Sequence, residues 1–138
     1  MIGLLEDDST AGAPRVLMDQ PGPQNLVVVD WGASSQQGSR RLRNEDNWGQ
    51  LGPIFVVADG MGGLQAGDVA SQVAARSLVS QWFGGNEMNP VEVARNVNGL
   101  VRQALTGVDA GGSTMSALRI AHDQATVVHI GDSRVYRV

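Results

Sequence analysis

Residues 54–63 read Ile-Phe-Val-Val-Ala-Asp-Gly-Met-Gly-Gly. Five apolar residues run into a carboxylate, and three glycines follow within four positions. β-Branched and aromatic side chains dominate 54–58, the composition of a buried strand. Asp59 is therefore expected at the mouth of that strand with bare backbone beside it. Asp-Gly alone is a common hairpin signal. Here the glycine run exceeds what a two-residue hairpin needs, and helical periodicity follows it.

Upstream lies Arg41-Leu42-Arg43-Asn44-Glu45-Asp46, its last residue 13 positions before Asp59. Arginine offers a planar fork of donors suited to phosphate oxygens. Ionised Glu45 and Asp46 only accept hydrogen bonds, and as neighbours they repel unless a cation intervenes. Hard cations such as Mg²⁺ take oxygen ligands, and glycine lets a cation or its waters approach a backbone carbonyl. Asp59-Gly60 and the Glu45-Asp46 pair thus suggest a site for metal ions and a phosphate. The competing reading is a solvated charged turn followed by an Asp-Gly hairpin. Downstream, Gly131-Asp132-Ser133-Arg134 follows an apolar run and reads as a β-turn, Ser133 making local backbone hydrogen bonds. Asp132 is either part of that turn or another oxygen ligand.

The rest of the chain sorts into strands, two helices, then strands. Residues 1–25 hold three of the five prolines and the acidic Glu6-Asp7-Asp8, and read as a flexible leader. The domain proper is expected over 26–138. Residues 26–29 read as a strand, 33–39 as a loop, and 47–52 as a strand around Trp48. A helix is expected over 66–83, with Val69, Ala70, Val73, Ala74, Leu78 and Trp82 at three- and four-residue spacings. Gly84-Gly85 stops it. A second helix starts with Asn89 as N-cap, Pro90 at its first position and Glu92 in its first turn. Its apolar face comprises Ala94, Val97, Val101 and Ala104. Residues 113–121 and 126–130 read as strands, and 135–138 as the start of a returning one. Like elements in runs favour an α+β fold with a largely antiparallel sheet.

Composition excludes several functions. The chain has 138 residues, a net charge of −4 and no cysteine. Thiol catalysis, thiolate metal sites and disulfides are excluded. The acidic balance and single short basic cluster argue against nucleic acid as a partner. No run approaches the ~20 apolar residues of a membrane helix, so no membrane partner is expected. The N-terminus lacks a signal-peptide pattern, and with the absent cysteines this points to the cytoplasm. His122 and His129 lack the partners and spacing of zinc ligands. The glycines form neither GxGxxG nor a P-loop.

In order, Arg41-x-x-Asn44-Glu45-Asp46, Ala58-Asp59-Gly60-Met61-Gly62-Gly63 with its helix, Gly112-Ser113-Thr114 and Gly131-Asp132-Ser133-Arg134 resemble the metal-dependent PP2C (PPM) serine/threonine protein phosphatases, especially the bacterial branch. The resemblance covers about residues 27–138. It implies a PP2C-like antiparallel β-sandwich flanked by helices, and hydrolysis of phosphoserine and phosphothreonine in phosphorylated proteins at a binuclear Mg²⁺ or Mn²⁺ centre. By resemblance, Asp59 bridges the metals, Gly60 lends its carbonyl, and Glu45 holds the second metal directly or through water. Asp46 orients metal-bound water, and Arg41 binds the substrate phosphate. Asp132 matches a position linked to an additional metal in some bacterial members.

Three departures accompany the match. The family's later half carries further aspartates, and this chain stops at Val138 before them, so a truncated domain is expected. Met61 stands where some eukaryotic members place a general-acid histidine. Ser113 replaces a threonine. The missing strands would leave sheet edges open. A coding fragment, a split protein whose second chain completes the sheet or site, and a dimerising minimal relative all fit. The alternative function is a non-catalytic phosphoprotein-binding or regulatory pseudophosphatase module. A structural sandwich with coincidental Asp-Gly turns is the third.

Overall fold

Two hairpins build the central sheet. The first joins β5 (Asp46–Leu51) to β6 (Ile54–Met61), and the second joins β8 (Met115–Ala121) to β9 (Gln124–Ile130). All neighbours are antiparallel, in the order β5-β6-β8-β9, and the two-residue β7 (Gly112–Ser113) pairs with the end of β6. The turn between β8 and β9 is His122-Asp123, with His122 at φ 54°, a conformation histidine adopts more readily than most residues. The computed structural model describes residues 2–3, 16–18, 26–62, 66–84, 88–108 and 110–138.

Strand β6 fits the central position because both of its sides are paired and most of its side chains are buried. It is longer than the apolar run that signalled it. Asp59, Gly60 and Met61 continue the ladder, because Gly60 and Met61 pair with Ser113 and Gly112. Asp59 accordingly stands inside the strand rather than beyond its mouth.

Helices α1 (Ala66–Gly84) and α2 (Pro90–Ala104) pack with one face of this sheet into a single core. Ala74, Ala75, Leu78 and Trp82 of α1 meet Ile54, Val56 and Ala58 of β6 and Met115 and Ala117 of β8, and Ala70 is also buried. Burying a side chain such as Leu78 contributes about 1.5–3 kcal/mol. The small residues at 70, 74 and 75 bring the helix close to the sheet. Val69, expected on the apolar face, is exposed; Ser71 takes a buried place instead. Helix α2 begins as its sequence dictates, the Asn89 side chain accepting the Val91 N–H at 2.8 Å. Its buried residues are Val93 and Val97, while Ala104 is exposed. Arg119, on the helix-facing side of β8, sets its guanidinium 5.9 Å from the Trp82 ring centroid.

On the other face Trp31 packs against Trp48 and Phe55, both at 5.8 Å between centroids. Two small antiparallel pairs complete the described fold, β1 (Ile2–Gly3) with β4 (Ser34–Ser35) and β2 (Val16–Met18) with β3 (Leu26–Val28). Two stretches of the expected leader therefore carry strand; the remainder of 1–25 lies outside the described residues. The expected strand at 135–138 is absent: these residues form no ladder, and Tyr136 and Val138 are exposed. An apolar alternation cannot by itself supply the partner strand that a ladder requires. Among the described residues, no helix is long and apolar enough to cross a membrane.

Candidate metal and phosphate site

The β5–β6 register sets Asp46 directly across from Asp59. Carboxylates facing one another across a ladder repel. Partial withdrawal from water, then Coulomb repulsion by Asp46 and a hydrogen bond with it, raise the Asp59 carboxyl above its ordinary value; Asp132 adds to the repulsion. Asp59 keeps appreciable contact with solvent even so. Three of the expected acids, Asp46, Asp59 and Asp132, thus share one electrostatic neighbourhood although they come from β5, β6 and the bend after β9.

The backbone around Asp59 is held on both sides. Its N–H donates to Thr114 Oγ1 at 3.0 Å, and its carbonyl accepts the Thr114 N–H at 2.9 Å and the Ser113 hydroxyl at 3.2 Å. Thr114 Oγ1 lies 2.7 Å from Ser133 Oγ. Ser133, expected to serve only its own turn, instead links the 131–134 bend to β6 through Thr114, because that bend folds back beside the end of β6. Gly131 makes this possible: its φ is 99°, and a Cβ there would stand 2.7 Å from Thr114 Cγ2. The sequence offers only one signal for this role of Thr114, a hydroxyl pair, Ser113-Thr114, directly after two glycines.

Gly60 and Gly67 form a second close approach. A Cβ on Gly60 would lie 2.1 Å from the Gly67 carbonyl oxygen and 2.6 Å from that of Glu45. The Gly60 N–H donates to the Glu45 carbonyl at 3.1 Å. The Glu45 carboxylate rests against Gly67, where an added Cβ would stand 2.9 Å from its Cδ and Oε1. That is the first turn of α1, whose positive end favours an anion. The Glu45 backbone thus meets Gly60, its carboxylate meets the start of α1, and the next residue, Asp46, faces Asp59.

Arg41 stands on the exposed loop before β5. Its backbone is fixed, with Arg41 N–H donating to Gly38 O at 2.9 Å and Gln37 Nε2 donating to Arg41 O at 2.6 Å. Among the described residues no hydrogen bond or ion pair holds its guanidinium. Asn44 Oδ1 accepts the Asp46 N–H at 3.2 Å and its amide donates to Ser35 Oγ at 2.7 Å, shaping the approach to β5. His129 pairs across strands with Ser116, Nδ1 and Oγ 2.9 Å apart.

Two carboxylates forced together are the donor set of a hard cation, and Asp46 and Asp59 fit one on that ground. Among the described residues no group of three or more His, Asp or Glu is drawn close enough to hold a metal by itself.

The antiparallel sheet with two helices on one face matches part of the fold of the PPM serine/threonine phosphatases. The chain is related to that family in sequence and structure over part of the family's length. It is 33% identical over 121 residues to the serine/threonine phosphatase stp of Listeria monocytogenes, which covers 74% of this chain and 47% of that protein. It is 32% identical over 117 residues to the serine/threonine protein phosphatase PstP of Mycobacterium tuberculosis, covering 80% of this chain and 23% of that one. In structure it resembles the PPM Ser-Thr phosphatase MsPP of Mycobacterium smegmatis in complex with cacodylate, at TM-score 0.66 and 28% identity over 72% of this chain and 44% of that chain. The catalytic domain of PstP in complex with two manganese ions gives a TM-score of 0.63 at 29% identity, over 75% of this chain and 48% of that one. The chain spans about half the length of the Listeria phosphatase. No family model matches it.

Proposed function

We propose that this chain carries part of a divalent-cation site for hydrolysing phosphoserine and phosphothreonine in proteins, with Mg²⁺ or Mn²⁺ as the cation. The observation that carries the proposal is the Asp46–Asp59 cross-strand pair, with Asp132 within electrostatic reach. Kinship with PPM phosphatases supports the reaction class, and the two manganese ions in the PstP structure support the kind of cation.

Asp59 and the Gly60 carbonyl would hold the cation from β6, and Glu45 from the approach to β5. Asp46, hydrogen-bonded to Asp59, would orient a water. Arg41, with its guanidinium unengaged by the described residues, would take the phosphate of the phosphorylated protein. Asp132 would serve an additional cation. A bound divalent cation supplies a more acidic water and offsets phosphate charge. The protein's own part is to hold the acids rigid: Thr114 fixes Asp59 by two hydrogen bonds, so little reorganisation is needed when charge develops.

The test is phosphate release from a phosphothreonine peptide with and without Mn²⁺, using the chain and Asp59→Asn. Release that requires Mn²⁺ and falls to background in the variant is the expected result. Mn²⁺ binding without release would replace this reading with the phosphoprotein-binding alternative. Absence of both would sink the cation site.

A further inference from the structure

Ser71 is a hydroxyl in an otherwise apolar stripe. It sits in α1 beside Ala70, Ala74 and Ala75, and it is 0% exposed. Alanine would serve the helix better at this position. A buried hydroxyl persists at low cost only when its hydrogen bonds are made. Those of Ser71 lead to the acids. Its Oγ donates to the Glu45 carbonyl at 2.5 Å, with the Asp68 carbonyl at 3.2 Å as a second acceptor. It accepts from Asn47 Nδ2 at 2.9 Å, and the same amide approaches Asp68 Oδ1 at 3.4 Å.

The Glu45 carbonyl also takes the Gly60 N–H. One carbonyl thus receives a donor from the helix and a donor from the residue after Asp59. Asp46 lies between two residues, Glu45 and Asn47, that are both tied to Ser71. The helix, the approach to β5 and the end of β6 meet at the Glu45 carbonyl.

We infer that Ser71, with Asn47, is a positioning residue that anchors the Glu45–Asn47 segment to α1 and keeps Asp46 opposite Asp59. It touches neither substrate nor cation. The consequence for cation affinity rests on the proposed function; the consequence for the backbone does not.

The experiment compares the full chain with Ser71→Ala and Asn47→Ala by amide hydrogen exchange and Mn²⁺ titration, with Ser71→Thr as the hydroxyl-restoring control. The Gly60 amide should exchange roughly 10-fold faster in both alanine variants while the Leu78 amide, in the same helix, keeps its protection. Mn²⁺ affinity should fall about 10-fold, the scale seen when a ligand's outer partner is removed. Ser71→Thr should restore both. A purely structural role would instead speed exchange at Gly60 and Leu78 together and leave Mn²⁺ affinity within about twofold, overturning the inference. If Ser71→Ala does not fold, Asn47→Ala decides by the same criteria. If the parent chain binds no Mn²⁺, the cation reading fails. The exchange data then decide alone: a selective loss at Gly60 supports the anchor, and its absence refutes it.

Discussion

Replacing Gly60 with alanine would set a methyl carbon where the backbone of α1 already stands. The added carbon would lie 2.1 Å from the Gly67 carbonyl oxygen, 2.4 Å from its carbon and 2.6 Å from the Glu45 carbonyl oxygen. Reaching the ~3.5 Å at which such contacts are comfortable requires the helix and strand to part by roughly 1.4 Å. None of the three atoms belongs to a flexible side chain that could rotate away. Overpacking of this kind costs about 1–3 kcal/mol. A shift of this size would also break the 3.1 Å hydrogen bond from Gly60 N–H to Glu45 O, adding about 1 kcal/mol. The expected total is about 3 kcal/mol, which for a domain of this size lowers Tm by roughly 10–15 °C. Thermal unfolding followed by circular dichroism on parent and Gly60→Ala reads it. A Tm within about 2 °C of the parent would refute the close approach of β6 and α1.

Three further outcomes are expected. Gly99 sits in α2 with nothing within 4 Å of an added Cβ, so Gly99→Ala should stabilise by about 0.5–1 kcal/mol in urea unfolding; a loss of stability would contradict that open helical setting. Thr114→Val removes the acceptor for Asp59 N–H and the link to Ser133, so about 1–2 kcal/mol should be lost, with faster exchange at the Asp59 amide. Because burial and Asp46 raise Asp59 above 3.8, the folded chain binds that proton more tightly than the unfolded chain. Ionised Asp59 therefore costs stability above its folded pKa, and the cost is released as pH falls through that value. In chelator, Asp59→Asn should melt above the parent at pH 7, and the gap should close as pH falls toward ~4; a gap that fails to close would contradict the carboxylate repulsion.

Much of this was legible in the chain because local chemistry and tertiary environment agree. Residues 54–58 carry the β-branched and aromatic side chains of a buried strand, and Asn89-Pro90 opens a helix at its expected place. What was not legible depended on contacts distant in sequence. Nothing local to Asp59 says that Gly112–Ser113 will pair with Gly60–Met61 and carry β6 past its apolar run. Ser133 looks like a turn residue until Thr114 is placed beside it. Val69 is exposed and Ser71 buried because the Glu45 carbonyl, 26 residues away in sequence, rewards a hydroxyl on the buried side. The 135–138 segment has strand composition, but composition does not provide a neighbour. Asp46 and Asp59 were legible as candidates for one site; their cross-strand register was not.

The central claim is that Asp46 and Asp59, held in register, form part of a divalent-cation site. Paramagnetic broadening of backbone amides by substoichiometric Mn²⁺ tests it most directly, because it locates the ion without requiring turnover. The account predicts that Asp46, Gly60 and Thr114 broaden first, that amides of α2 are spared, and that Asp59→Asn abolishes the pattern. Broadening centred elsewhere, or an unchanged pattern in Asp59→Asn, would contradict it.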